Sequence, residues 1–140
     1  METVRRESAR VALIDREGRV LLLHAVLPDE DWWELPGGGL EPEETHEHAA
    51  LRELSEETGI EVPQLELLAT VETEFQFDGR LYLQRETVFR AAYAGTKIEL
   101  GEPDPPPYPR HVEFKWWKPS ELRSTRAQIH PPQLADLLGV

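Results

Sequence analysis

The chain predicts an α/β protein of the α+β type, a mixed β-sheet with helices on both faces. Three observations carry this. Two pairs of apolar, β-branched-rich runs are each joined at a turn signal, Arg16-Glu17-Gly18 in the first and Asp78-Gly79 in the second. Between the pairs lies a segment of helical periodicity that ends on a glycine. Further strand and helix signals follow the second pair. Strands before, between and after two helices imply an α/β/α sandwich.

In chain order, residues 8–15 and 19–26 form the first hairpin. Residues 28–31 are a polar loop and 32–35 a short strand. Pro36-Gly37-Gly38-Gly39 is a turn. The helix starts at Glu44 or Thr45 and stops at Gly59, read as a left-handed cap. Residues 65–77 and 80–94 form the second hairpin. Residues 95–109 contain Gly101-Glu102-Pro103-Asp104-Pro105-Pro106-Pro107, whose prolines exclude regular structure and leave a loop or lid. Residues 111–118 are a further strand, 119–122 a helical turn and 132–138 a C-terminal helix. With no repeat and no linker, residues 1–140 read as one domain.

Composition removes several function classes. The chain has no cysteine, so it has neither a disulfide framework nor a thiolate metal site. No apolar run approaches the roughly 20 residues that span a bilayer. The first ten residues lack the apolar core of a secretory signal, so the expected location is cytoplasmic. A net charge of −12 argues against a nucleic-acid polymer as ligand and for a small phosphorylated one bridged by metal. His-Glu-x-x-His, P-loop and Gly-x-Ser-x-Gly patterns are all missing.

The chemistry concentrates in the helix. Glu53, Glu56 and Glu57 fall at i, i+3 and i+4, on one arc of its surface. Like charges so placed destabilise a helix by a few tenths of a kcal/mol. A divalent cation relieves that repulsion, and hard carboxylate oxygens suit Mg²⁺ or Mn²⁺. A merely solvated face is the alternative for an arbitrary cluster of this kind. Arg52, next to Glu53, has the planar fork that can hold a carboxylate. Glu44 is either a more distant metal or water ligand, or a favourable charge at the helix N-terminus.

Residues 38–60 resemble the Nudix box, G-x5-E-x7-R-E-U-x-E-E-x-G-U with U a bulky apolar residue. Gly38, Glu44, Arg52, Glu53, Leu54, Glu56, Glu57, Gly59 and Ile60 match it without departure. The box covers about a sixth of the chain, and the flanking strand pattern is also similar to the family. The resemblance implies a Nudix-like α/β/α sandwich. It also implies Mg²⁺- or Mn²⁺-dependent hydrolysis of a nucleoside diphosphate linked to another moiety. Glu53, Glu56 and Glu57 would be the metal ligands and Arg52 would position them. A main-chain carbonyl of the glycine turn joins the carboxylates, carried here to Gly38 with Gly37 the close alternative. The base is a box glutamate or one from a distant loop or strand: Glu56, Glu57, Glu113, then Glu102 or Asp104. For Glu113, alternating with His111 and Lys115, the polar face of a strand is the competing role.

For the substrate, Trp32 and Trp33 precede the turn, and Trp33 is the candidate to stack on a base, with core packing the alternative. Trp116 and Trp117 are adjacent in a strand and face opposite ways. Arg10, Arg85 and Arg90 lie on strands and can pair with phosphate; Arg85 is the candidate carried furthest. The proline of ADP-ribose hydrolases and the tyrosine of diadenosine polyphosphate hydrolases, roughly 15 residues past the box, are absent, and so is any asparagine to read an oxidised guanine. A nucleoside triphosphate or small nucleotide derivative is the expected substrate. The competing class is a non-catalytic, nucleotide-sensing domain. A homodimer is the default expectation among soluble oligomers.

Overall fold

Among the residues described, 1–95 and 97–139, the computed structural model holds one eight-stranded mixed sheet and three helices. The strands are β1 (Glu2–Ile14), β2 (Val20–Leu27), β3 (Glu30–Glu34), β4 (Gly37–Gly39), β5 (Glu66–Phe77), β6 (Arg80–Ala92), β7 (Arg110–Trp117) and β8 (Ile129–His130). The helices are α1 (His46–Thr58), α2 (Pro119–Ser124) and α3 (Leu134–Leu137). No helix among the described residues is long and apolar enough to cross a membrane.

The continuous apolar run of β2 reflects burial on both faces. Leu21 and Leu23 pack with Ala49, Ala50 and Leu54 of α1 on one side. Val20 and Leu22 pack with Leu122 of α2 and Leu134 of α3 on the other. Trp116 and Trp117 divide between these two cores, as their adjacency requires. The sandwich expected from the sequence is therefore present.

Pairing departs from the simple hairpin reading. β1 and β2 are in register only at Ile14–Val20, beside their turn. Beyond it they part. β1 pairs in parallel with β6 along its whole length, from Glu2–Arg80 to Ile14–Ala92, and antiparallel with β4 through residues 8–10. β2 instead pairs with β3 and β7. The expected glycine turn is itself short strand β4, and the loop at 28–31 shrinks because β3 already begins at Glu30.

Local signals place α1 where the sequence put it. Thr45 caps it, its hydroxyl accepting from the His48 N–H at 3.1 Å, and Gly59 closes it at φ 73°. Such an N-cap is worth about 1 kcal/mol. The β5–β6 turn has positive φ at both Asp78 (50°) and Gly79 (74°), the two-residue geometry that matches strand twist. The C-terminal helix expected over 132–138 is confined to α3. Ile129–His130, which the sequence assigned to no element, form β8, parallel to β3 at Trp33–Ile129 and Glu34–His130. So short a strand has no period to read.

Candidate active site

A cleft flanked by β1 and β3 on either side of the glycine turn encloses about 1360 Å³. Its walls come from β1, β3, β4, α1, the β5–β6 hairpin, the proline-rich loop, His111 of β7, Leu122 of α2 and β8. That volume exceeds the roughly 300–1000 Å³ of an ordinary small-molecule site.

Glu53 and Glu57 project from α1 into this cleft. Glu56 shares their arc but is exposed at the rim, 3.4 Å from Arg52 Nη1. The Gly37 N–H donates to Glu57 Oε1 at 2.7 Å. Burial pushes the Glu57 carboxyl well above the usual range, and the charges of Glu34 and Glu53 push it further. Glu53 is raised for the same first reason, burial, with Arg52 opposing. The glycine turn is what lets the chain come this close. A Cβ on Gly38 would sit 2.7 Å from Glu53 Oε1, and one on Gly37 would overlap the Ala9 carbonyl.

Arg52 is the organiser of this end of the cleft. It grips Glu44 with both edges, Nε to Oε2 at 2.7 Å and Nη2 to Oε1 at 2.8 Å. It also donates to Glu53 Oε1 at 3.1 Å and to the Gly39 carbonyl at 3.3 Å. Helix start, helix middle and glycine turn are thus tied by one fork. Glu44 is held down to about 2, first by Arg52 and then by the Glu41 N–H. Its carboxylate is engaged by Arg52 and does not line the cleft.

Trp33, Arg85 and Glu113, also singled out from sequence, lie outside the lining. Trp33 stacks on His24 at 4.5 Å and meets the edge of Trp117, beside the α2–α3 core; its neighbour Trp32 faces the cleft. Arg85 pairs with Glu7 at 3.0 Å. Glu113 lies 2.9 Å from His24 Nδ1 on an exposed face. Of the loop candidates, Asp104 lines the cleft, and the Gly101 N–H donates to the Glu57 carbonyl at 3.2 Å, which ties this loop to the end of α1.

The structure adds a buried charge network that residue spacing did not reveal. His111 Nε2 is 2.8 Å from Glu34 Oε2, and His111 Nδ1 is 3.7 Å from Glu57 Oε2. Ligand atoms of Glu34, Glu57 and His111 all lie within 4.8 Å of one another. Glu34 also accepts from Trp32 Nε1 at 2.7 Å. Burial alone would raise Glu34, but Arg10 and then His111 bring it down to about 2. Arg10, itself buried, donates to Glu86 Oε1 at 2.7 Å and to the Leu35 carbonyl at 2.9 Å. A bulge opposite His24 and Ala25 explains why alternation misplaced His111. It puts Glu113 opposite His24 but His111 opposite Ala25, so the two do not share the outer face.

The NUDIX domain family model matches residues 4–137. An RNA pyrophosphohydrolase of Erythrobacter litoralis is 32% identical over 131 residues, covering 84% of this chain and 78% of that protein. An RNA pyrophosphohydrolase of Sphingopyxis alaskensis is 30% identical over 146 residues, 96% of this chain and 89% of that protein. Among solved structures, a MutT NUDIX hydrolase from Burkholderia pseudomallei superposes with a TM-score of 0.77 at 27% identity, over 98% of this chain and 99% of that one.

Proposed function

This chain belongs to the Nudix family and is a Nudix-type pyrophosphohydrolase, and on that footing we propose that it uses Mg²⁺ or Mn²⁺ to cleave a phosphoanhydride bond of a nucleotide 5′-triphosphate. The carrier of that group is either a free nucleoside triphosphate or the first nucleotide of an RNA. The acidic composition favours the first and the names of the curated relatives favour the second. The observation that carries the reading is the convergence of Glu53 and Glu57 on the glycine turn under the grip of Arg52.

The donor set fits a hard divalent ion. Glu57 is a half-buried carboxylate raised by desolvation and by two neighbouring carboxylates, an arrangement that a cation relieves. Glu53 and Glu57 would hold it, with a backbone carbonyl of the glycine turn and Glu56 at the rim. Such an ion neutralises phosphate oxygens and makes water more acidic. The chain's own contribution is geometric. Arg52 fixes Glu53, the Gly37 N–H fixes one oxygen of Glu57, and His111 beside Glu57 Oε2 is placed to accept a proton from water. Glu34 holds His111 through its other nitrogen.

A turnover screen tests this. It compares nucleoside triphosphates, oxidised guanine forms and a 5′-triphosphorylated oligoribonucleotide, with each metal and with chelator. Metal-dependent release of phosphate or pyrophosphate, lost in Glu57→Gln, is expected. Equal turnover in chelator, or in Glu57→Gln, would sink the proposal.

A further inference from the structure

Alternation puts Arg6, Ser8 and Arg10 on one face of β1, and the register sets Gln84 of β6 opposite Arg6 and Tyr82 opposite Val4. Arg10 is level with Gly37, at the carboxylate end. Passing outward from there, the cleft floor presents Arg10, then Arg6, then the stacked pair Phe75 and Tyr82, whose rings are 5.0 Å apart.

The three cleft-lining arginines are not alike. Arg10 is neutralised by Glu34 and Glu86, and Arg80 has Glu2 at 3.6 Å. Arg6 is half-buried, yet among the described residues no carboxylate or carbonyl lies within hydrogen-bonding reach of its guanidinium. In a chain with 27 acidic and 15 basic residues, an unspent cation inside a cleft is an exception. Burial, and then the charge of Arg10, act against its protonated form, and Tyr82, Glu86 and Glu53 offset them only in part from beyond hydrogen-bonding distance. Its fork is pressed to the glycine turn, where a Cβ on Gly39 would come 2.6 Å from Nη2. Two buried side-chain oxygens on the same face, Ser8 Oγ and Gln84 Oε1, also lack partners among the described residues.

We infer that Arg6 is a substrate-binding residue, the anchor for a phosphate that the carboxylates do not hold, with the base-bearing end of the substrate directed to the Phe75–Tyr82 stack. This rests on the triphosphate reading above. The guanidinium supplies two parallel donors to a phosphate, which a lysine cannot match, and the stacked rings present an apolar platform to a base.

The experiment pairs kinetics with binding and stability. Arg6→Ala and Arg6→Lys are compared with the unaltered protein for turnover of the best triphosphate, for equilibrium binding of a β,γ-imido nucleoside triphosphate with Mg²⁺, and for Tm. Arg6→Ala is expected to weaken binding roughly tenfold or more and to raise KM by more than it lowers kcat. Arg6→Lys should recover part of the loss, and Tm should hold or rise, since no internal ion pair is broken. Unchanged binding in Arg6→Ala overturns the inference while leaving the hydrolase reading intact. A fall in Tm that Arg6→Lys restores without restoring binding also overturns it, because Arg6 is then structural. Arg6-dependent binding without turnover upholds the inference and removes the triphosphatase reading. Failure of the unaltered protein to bind the analogue overturns both.

Discussion

Arg10 Nε meets Glu86 Oε1 at 2.7 Å inside the sheet, joining residues 76 positions apart in the chain. Glu86 is fully buried and takes further hydrogen bonds from Thr73 and His130 at 3.0 and 2.9 Å. Burial alone would raise its carboxyl, but His130 and Arg10 hold it well below the ordinary range. Because the folded pKa lies below the unfolded one, this group stabilises the fold above about pH 4.5, and the contribution is lost as pH falls below that. Glu86→Gln leaves Arg10 buried with half its countercharge, a loss on the order of 3 kcal/mol. Urea unfolding at pH 7 should show that loss. At pH 3 the difference from the unaltered protein should shrink, and a difference independent of pH would refute the assignment.

Glu57→Gln should separate activity from stability in opposite directions. The amide oxygen can keep the Gly37 hydrogen bond, while a half-buried carboxylate beside Glu34 and Glu53 is removed. Turnover should fall by on the order of 100-fold or more, whereas Tm without metal should rise by a few degrees. Calorimetry in chelator checks the second half, and a lower Tm would mean the carboxylate is needed for folding.

The Arg52–Glu44 fork predicts coupling. Arg52→Lys loses the two-edged grip, and Glu44→Gln loses its charge, so each should cut turnover by roughly tenfold through a loosened Glu53. The double variant should be hardly worse than either alone. Independent, multiplying losses measured in the four-member cycle would show that Glu44 acts on the reaction by another route.

Trp32→Ala and Trp33→Ala should behave oppositely. Trp33, half-buried between His24 and Trp117, is a stability residue, and its loss should cost about 2 kcal/mol, below the roughly 3–5 kcal/mol of deleting a fully buried aromatic. Trp32 faces the cleft, donates to Glu34 and should affect KM and kcat with a smaller change in Tm. Thermal melts alongside steady-state kinetics decide it. An unchanged KM in Trp32→Ala would place base recognition elsewhere on the cleft wall.

The box helix, its caps, the carboxylate arc and the second hairpin were legible in the chain because they obey local rules. Helical period, N-cap chemistry and two-residue turns all act over a few neighbours. So was the sandwich, since two-sided apolar strands must be covered on both faces. Which other residues join the site was decided only in three dimensions. Parallel pairing with β6 brings Glu86 beside Arg10, and a bulge in β7 turns His111 to Glu34 while Glu113 is left with His24. The run of β1 along β6 and β4 sets Arg6 on the cleft wall, where among the described residues it makes no hydrogen bond or ion pair. Such choices depend on register between distant segments, and a shift of one residue reverses every side chain. No pattern within a single strand carries that information.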